Sequence, residues 1–204
     1  PKAQFEKDLT KYCDSAMEMG ATRTKIIASS DIIIDERVRA KCTYPKCRFH
    51  GTNVHCPPYA MELPDVRLML GKYEHGIFID IEVTTDVLAG PNTLKDRAYV
   101  PSGLNAYKIV GKIEADAFYD GYHLALGFGG GPCKPYFCQN DKCIALEVGE
   151  GCKHPLRARA SMESMGMDVF IMAANAGWDI FPIGGSTAPE DVPVGHRLGL
   201  ILIR

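Results

Sequence analysis

Long apolar runs are missing from this 204-residue chain. No stretch approaches eighteen consecutive apolar residues, which excludes a membrane-spanning helix. The opening segment, PKAQFEKDLTKYCD, is charged and periodic and has no apolar run of signal-peptide length. The expectation is a cytoplasmic protein with no membrane partner. An excess of one charge is missing too: 23 lysines and arginines face 25 acidic residues, a net charge of −2. Nucleic acid, which asks for a basic surface, is therefore not an expected partner. Low-complexity segments are absent, and so are nucleotide motifs: GFGGGPC has neither the G-x-G-x-x-G order before a helix nor a G-K-[ST] ending. Flexible backbone wrapped around sulfur explains those glycines better.

Cysteine is what the chain does have, eight in all. A chain of this length can bury its own core without a disulfide framework. In a reducing compartment, clustered cysteines read as metal ligands or catalytic thiols. Seven fall into two groups that share the spacing C-x4-C-x8-C: Cys42, Cys47 and Cys56 in the first, and Cys138, Cys143 and Cys152 in the second. The second group also contains Cys133 and so is a complete tetrathiolate set on a loop rich in glycine and proline. The first is one ligand short.

Structural zinc favours two close cysteine pairs, whereas wide gaps suit the corners of a larger inorganic core, and Cys56 is followed by Pro57 and Pro58 in the manner of ferredoxin ligands. The expectation is two [4Fe–4S] clusters, with zinc as the alternative. Cys13 stands alone on the apolar side of a helix. It reads as core, and is also the candidate fourth ligand of the first site; the other options there are His50, His55, an oxygen ligand, or an iron left open to substrate.

Cations cluster near both groups: Lys134, Lys142, Lys153, Arg157 and Arg159 around the second, Lys41, Lys46 and Arg48 around the first. They would offset the negative charge of a thiolate-bound cluster. Tyr44, Phe49, Tyr59, Tyr136 and Phe137 are placed to shield the sulfurs. Glu114, Asp116 and Asp120 read as a solvated helix face, and His75 and His123 as core or surface residues. No catalytic residue is assigned.

KCTYPKC with HCPPY, and GGGPCKPYFCQNDKC with GCKHPLRARASMESMGMDV, resemble the signatures of an uncharacterised family of predicted metal-binding proteins, a domain of unknown function of anaerobic archaea and bacteria. The resemblance runs from Cys42 to Ala173. It implies metal binding through the seven motif cysteines as iron–sulfur centres and an anaerobic setting, and it implies no reaction. Cys13 lies outside the motifs.

Three functions follow. The first is a small iron–sulfur protein passing single electrons to or from a redox partner protein or a larger enzyme complex. The second is an enzyme or cofactor-assembly factor with an open iron at Cys42, Cys47 and Cys56. The third is a zinc-stabilised interaction module. A homo-oligomer is left open.

The architecture reads as α+β, or α/β, in a single domain over residues 1–204, with a mixed sheet flanked by helices and cluster-binding loops at about 42–58 and 131–154. Helices are expected from Pro1 to Met19, over ERVRAKC, from Pro64 to Lys72 or Tyr73, from Ser102 or Asn105 to Asp120, and from His154 to Met165, ending at Gly166. Strands are expected in 25–34 (or a tight hairpin), 76–84 with one face buried, YHLALGF, DVFIMAA (168–174), and WDIFPIGG paired with LGLILIR. A loop is expected over 86–102.

Overall fold

The computed structural model describes residues 2–90, 96–184 and 186–204. Helix α1 (Lys2–Glu18) forms because Phe5, Leu9, Tyr12 and Ala16 recur at three- and four-residue steps, and all four are buried. Strand β1 (Arg23–Ala28) is single; the hairpin alternative is replaced by a 3-10 turn at Ser29–Asp31. Asp35 then caps α2 (Glu36–Ala40), accepting the Arg37 N–H at 2.7 Å. Helix α3 (Leu63–Leu70) carries Pro64 in its first turn, as expected.

The remaining elements are β2 (His75–Val83), α4 (Tyr99–Tyr119), β3 (Leu126–Phe128), α5 (Lys134–Phe137), α6 (Val169–Ala176) and β4 (Gly195–Leu202). Helix α4 starts earlier than Ser102 or Asn105. The Ser102 hydroxyl donates to the Tyr99 carbonyl inside the helix, and the Asn105 amide donates to Met19 O at the end of α1, so neither is a cap. Of the expected loop 86–102, residues 91–95 lie outside the described residues, as does Gly185 of the expected WDIFPIGG strand and Pro1 of the first helix.

The four strands form one sheet in the order β1-β2-β4-β3. The α+β class holds, but the three strand pairings are all antiparallel where a mixed sheet was expected. Strands β2 and β3 run parallel and are joined through α4, but β4 is inserted between them and pairs antiparallel with both, so no two neighbouring strands are parallel. Parallel pairing among the described residues is confined to the isolated bridge Gly129↔Ser161.

Helices α1 and α4 cover one face, packing Phe5, Leu9, Ile109 and Ile113 on Ile77, Ile79, Ile81 and Ile201. Gly199 sits opposite Ile79, and a Cβ there would come 2.7 Å from Val110 Cγ2, so glycine lets α4 lie close on the sheet. The other face is covered by α3, α6 and the segment 158–168, with Phe78, Leu198, Leu200 and Leu202 beneath Val66, Met162, Met167 and Met172. Strand β2 is thus buried on both faces, which corrects the half-buried reading. Phe78 stacks on Trp178 at 4.9 Å and Asp80 is fully buried against ionic partners, while only Glu82 and the strand end reach solvent.

Three expected elements take another form. Residues 168–174 form helix, not strand: the buried positions Val169, Met172, Ala173 and Ala176 have helical spacing, and the Asp168 carboxylate accepts the N–H groups of Phe170 and Ile171. Residues 154–165, expected as a helix, are turns followed by a 3-10 turn at Glu163–Met165, with Gly166 at φ +78°. The backbone there is committed elsewhere. Gly129 N–H donates to Ala160 O at 2.9 Å and Met162 N–H to Gly129 O at 3.0 Å. Asp35 N–H donates to Gly166 O and Asp168 N–H to Ile33 O, each at 2.9 Å. WDIFPIGG forms no strand among its described residues, and β4 pairs with β2 and β3 instead.

Phe78→Ala is expected to cost about 3–5 kcal/mol of stability by opening a cavity between the sheet and Trp178. Urea unfolding followed by the fluorescence of the single tryptophan measures it. Gly166→Ala is expected to cost at least about 1–2 kcal/mol from its left-handed backbone, and a Cβ there would also come 2.7 Å from Leu63 Cδ2; the same unfolding assay reads it.

Candidate metal centre

The first cysteine loop joins α2 to α3, and the second follows β3 by way of Gly129 and Gly130. Segment 158–168 ties the roots of both. It bonds Gly129, four residues before Cys133, and Asp35, seven before Cys42. Arg39 adds a side-chain clamp, donating to the Ser164 carbonyl at 2.9 Å and the Met61 carbonyl at 3.0 Å.

The result brings all seven motif cysteines together. Burial raises the Cys133 thiol to about 12, and the neighbouring thiolates of Cys56, Cys138, Cys143 and Cys152 push it the same way. Burial likewise raises Cys42, with Cys47 adding repulsion and Arg39 opposing. Cys56 is raised by burial and by Cys42 and Cys47, against a hydrogen bond from Asn53. Cys138 is raised by burial, Cys143 and Cys152, with Lys134 and Lys153 pulling down. Thus Cys42, Cys47 and Cys56 interact with one another, Cys133 and Cys138 each interact with Cys143 and Cys152, and Cys56 also interacts with Cys133 across the two loops.

Cys13 is elsewhere. Its thiol is raised by burial in the packing beneath α1, is hydrogen-bonded to Thr24, and feels the charge of Asp14 and no other cysteine.

Asn53 occupies the seam and had no signal in the sequence beyond standing three residues before a cysteine. It is 1% exposed. Its Oδ1 accepts the His55 N–H at 3.1 Å and lies 3.8 Å from Cys133 Sγ. His55 Nδ1 is 3.4 Å from the same sulfur. Burial, then the charge of Arg159, holds His55 below the usual imidazole range, which favours the neutral ring. Backbone N–H groups two residues past a cysteine also turn to sulfur, Phe49 to Cys47 at 3.5 Å and His154 to Cys152 at 3.3 Å.

The surrounding residues divide. Tyr136 and Tyr107 are buried against Cys133, and Phe137 packs beside them, as the shielding role requires. Tyr44 and Tyr59 stand out in solvent and shield nothing. Arg157 stacks over the Phe137 ring at 5.3 Å. Arg159 forms a fork on Glu114, at 2.6 and 2.8 Å, so Glu114 is paired rather than solvated; it also accepts the Gly127 N–H. Asp116 pairs with Lys112 and Asp120 with Lys11 and Tyr12. Arg39 and Glu163, which raises Cys42, were not singled out by the sequence.

Another constellation is purely tertiary. Asp80, Glu82 and His196 bring one donor atom each within 4.8 Å of one another; among the described residues no three cysteine sulfurs come that close. Arg23 already supplies the cation here, with Nη2 at 2.5 Å from Asp80 and 3.4 Å from Glu82. His196 Nδ1 lies 3.0 Å from Asp80 as well. The group is an ionic network that satisfies a buried carboxylate.

The family model described as "Predicted metal-binding protein (DUF2284)" matches residues 25–203. No curated protein and no solved structure matches the chain. Among the described residues no helix is long and apolar enough to cross a membrane. The donor chemistry fits the family description: seven soft thiols, close enough to repel when ionised, suit a thiophilic metal.

Cys56→Ala and Cys133→Ala are expected to lower the metal content of purified protein, while Cys13→Ala retains it in full. Elemental analysis per chain, on folded protein verified by circular dichroism, checks this.

Proposed function

Because the chain belongs to the family of predicted metal-binding proteins, we propose that it is an iron–sulfur redox protein with two centres. Cys133, Cys138, Cys143 and Cys152 hold one [4Fe–4S] cluster, and Cys42, Cys47 and Cys56 hold another with one iron free of cysteine. The observation that carries this reading is that seven thiols from two wide-gapped groups gather in one region, Cys56 interacting with Cys42, Cys47 and Cys133, and Cys133 with Cys138, Cys143 and Cys152. Structural zinc favours two close cysteine pairs, so wide gaps support a larger inorganic core.

When bound, the clusters supply reversible one-electron transfer and, at the iron without cysteine, a Lewis-acid position. The chain does the rest. Tyr107, Tyr136 and Phe137 exclude water from the four-cysteine side. The N–H groups of Phe49 and His154 donate to sulfur and favour the reduced, more negative state. Asn53 and His55 separate the two sets, and the ring of His55 is the nearest candidate for a nitrogen ligand at the seam. The position of Cys13, turned to Thr24, favours an open site over a plain electron carrier. Electrons reach the four-cysteine set from a partner protein.

Protein purified without oxygen is expected to hold about eight irons and eight sulfides per chain and to give a paramagnetic signal on dithionite reduction. Cys13→Ala leaves both unchanged, and the signal assigned to the three-cysteine set shifts when a small thiol or carboxylate is added. Colourless protein carrying two zinc ions replaces this reading with a zinc-stabilised module.

A further inference from the structure

Both cysteine loops wall one cavity of about 400 Å³. Arg48, Phe49 and Thr52 come from the first loop, Lys134 and Gln139 from the second, and Arg97 from the segment before α4. The chain as a whole is slightly acidic, yet among the described residues three cations and no carboxylate line this cavity. Among the described residues none of the three makes an ion pair. Arg48 lies over the Phe49 ring at 4.6 Å, Arg97 donates to the Pro135 carbonyl at 2.9 Å, and Lys134 donates to the Asp141 carbonyl at 2.6 Å. Each is held by a neutral partner and keeps its charge available.

The backbone singles out the same cavity. Among the described residues, the non-glycine positions with left-handed backbone are Arg97 at φ +55° and Gln139 at φ +51°. Both line it. A left-handed backbone is unfavourable for a side chain with a Cβ, and such positions persist where the surroundings hold them, active sites, ligand clamps and switch regions among them. Two guanidinium groups and an ammonium, fixed around a space of small-molecule size, match an oxyanion through forked, charge-assisted hydrogen bonds.

The geometry points to a binding site for a small oxyanion of at least two negative charges between the cysteine loops, held by Arg48, Arg97 and Lys134. Phosphorylated small molecules and dicarboxylates share that chemistry. The inference rests on the proposed iron–sulfur reading only in placing this anion beside a redox centre; the binding stands on the cavity alone. It makes the cavity the substrate site of that reading and distinguishes it from a protein whose cations merely offset cluster charge.

The test is titration calorimetry on metal-loaded protein at low ionic strength, with inorganic phosphate, succinate and acetate as probes. Phosphate or succinate is expected to bind one per chain at about 1 mM or tighter, with acetate about tenfold weaker or worse. Arg48→Gln and Lys134→Gln each weaken binding about tenfold, and Arg48→Lys restores only part of it, because the ammonium keeps the charge and loses the fork, with the circular dichroism of every variant unchanged. Preference for phosphate assigns a phosphorylated ligand, and preference for succinate a dicarboxylate. If neither dianion binds, or if the glutamine variants bind as well as the parent, the site is not an anion site. Iron analysis of the same samples separates the two claims: binding without iron overturns the cluster reading alone, and iron without binding overturns this one alone.

Discussion

Hydrogen bonds from one buried segment, residues 158–168, hold the two cysteine loops side by side, and the candidate metal centre depends on them. The segment exchanges N–H and C=O groups with Gly129 at one end and with Ile33 and Asp35 at the other. Gly129 lies four residues before Cys133, and Asp35 is the cap of α2, the helix that leads into the first loop. Between them Arg39 donates to the Ser164 carbonyl, and Ser161 and Ser164 satisfy each other inside the protein. Without this strap each loop would have only its own turns, and seven cysteines from two distant stretches would have no reason to converge. The left-handed Gly166 lets the strap turn from one loop root to the other.

That convergence sets the chemistry. Thiols gathered near one another and drawn out of water resist ionisation, and burial first, then the neighbouring thiolates, pushes Cys133 up to about 12. A metal centre reverses the balance, because it takes thiolate in place of protons. The seam residues Asn53 and His55 bring polar contacts rather than charge to the place where the two sets meet, so the burden of charge falls on cations at the rim. Lys134 and Lys153 act on Cys138, Arg39 on Cys42 and Cys56, and Arg159 is neutralised by Glu114. Arg48 and Arg97 line the cavity between the loops.

Much of the frame was legible from periodicity. The stripe of α1, the Pro64 start of α3, the short α2 and the strand LGLILI all form where spacing and punctuation place them. The misreadings share a cause. Residues 168–174 are apolar enough for a buried strand, and only their burial at Val169, Met172, Ala173 and Ala176 reveals the helix; short apolar runs carry no decisive period. Residues 154–165 have helical composition, but their backbone groups pair with distant positions, so tertiary hydrogen bonds override propensity. Strand β2 alternates convincingly, yet Phe78 and Asp80 are buried because a second layer of helices and the strap covers that face.

The sequence by itself determined the inventory: seven cysteines in a set of three and a set of four, the repeated spacing, and the local elements that flank them. Local spacing can do this because ligands within twenty residues converge through the flexibility of their own loop. Only the tertiary structure decided that the two sets meet at Cys56 and Cys133, that Cys13 faces Thr24 instead, and that Asn53, Arg39 and Arg97 belong to the site. Apart from that of Cys13 with Thr24, those contacts join positions tens of residues apart. They are set by strand pairing, helix packing and the strap, none of which leaves a periodic trace in the chain.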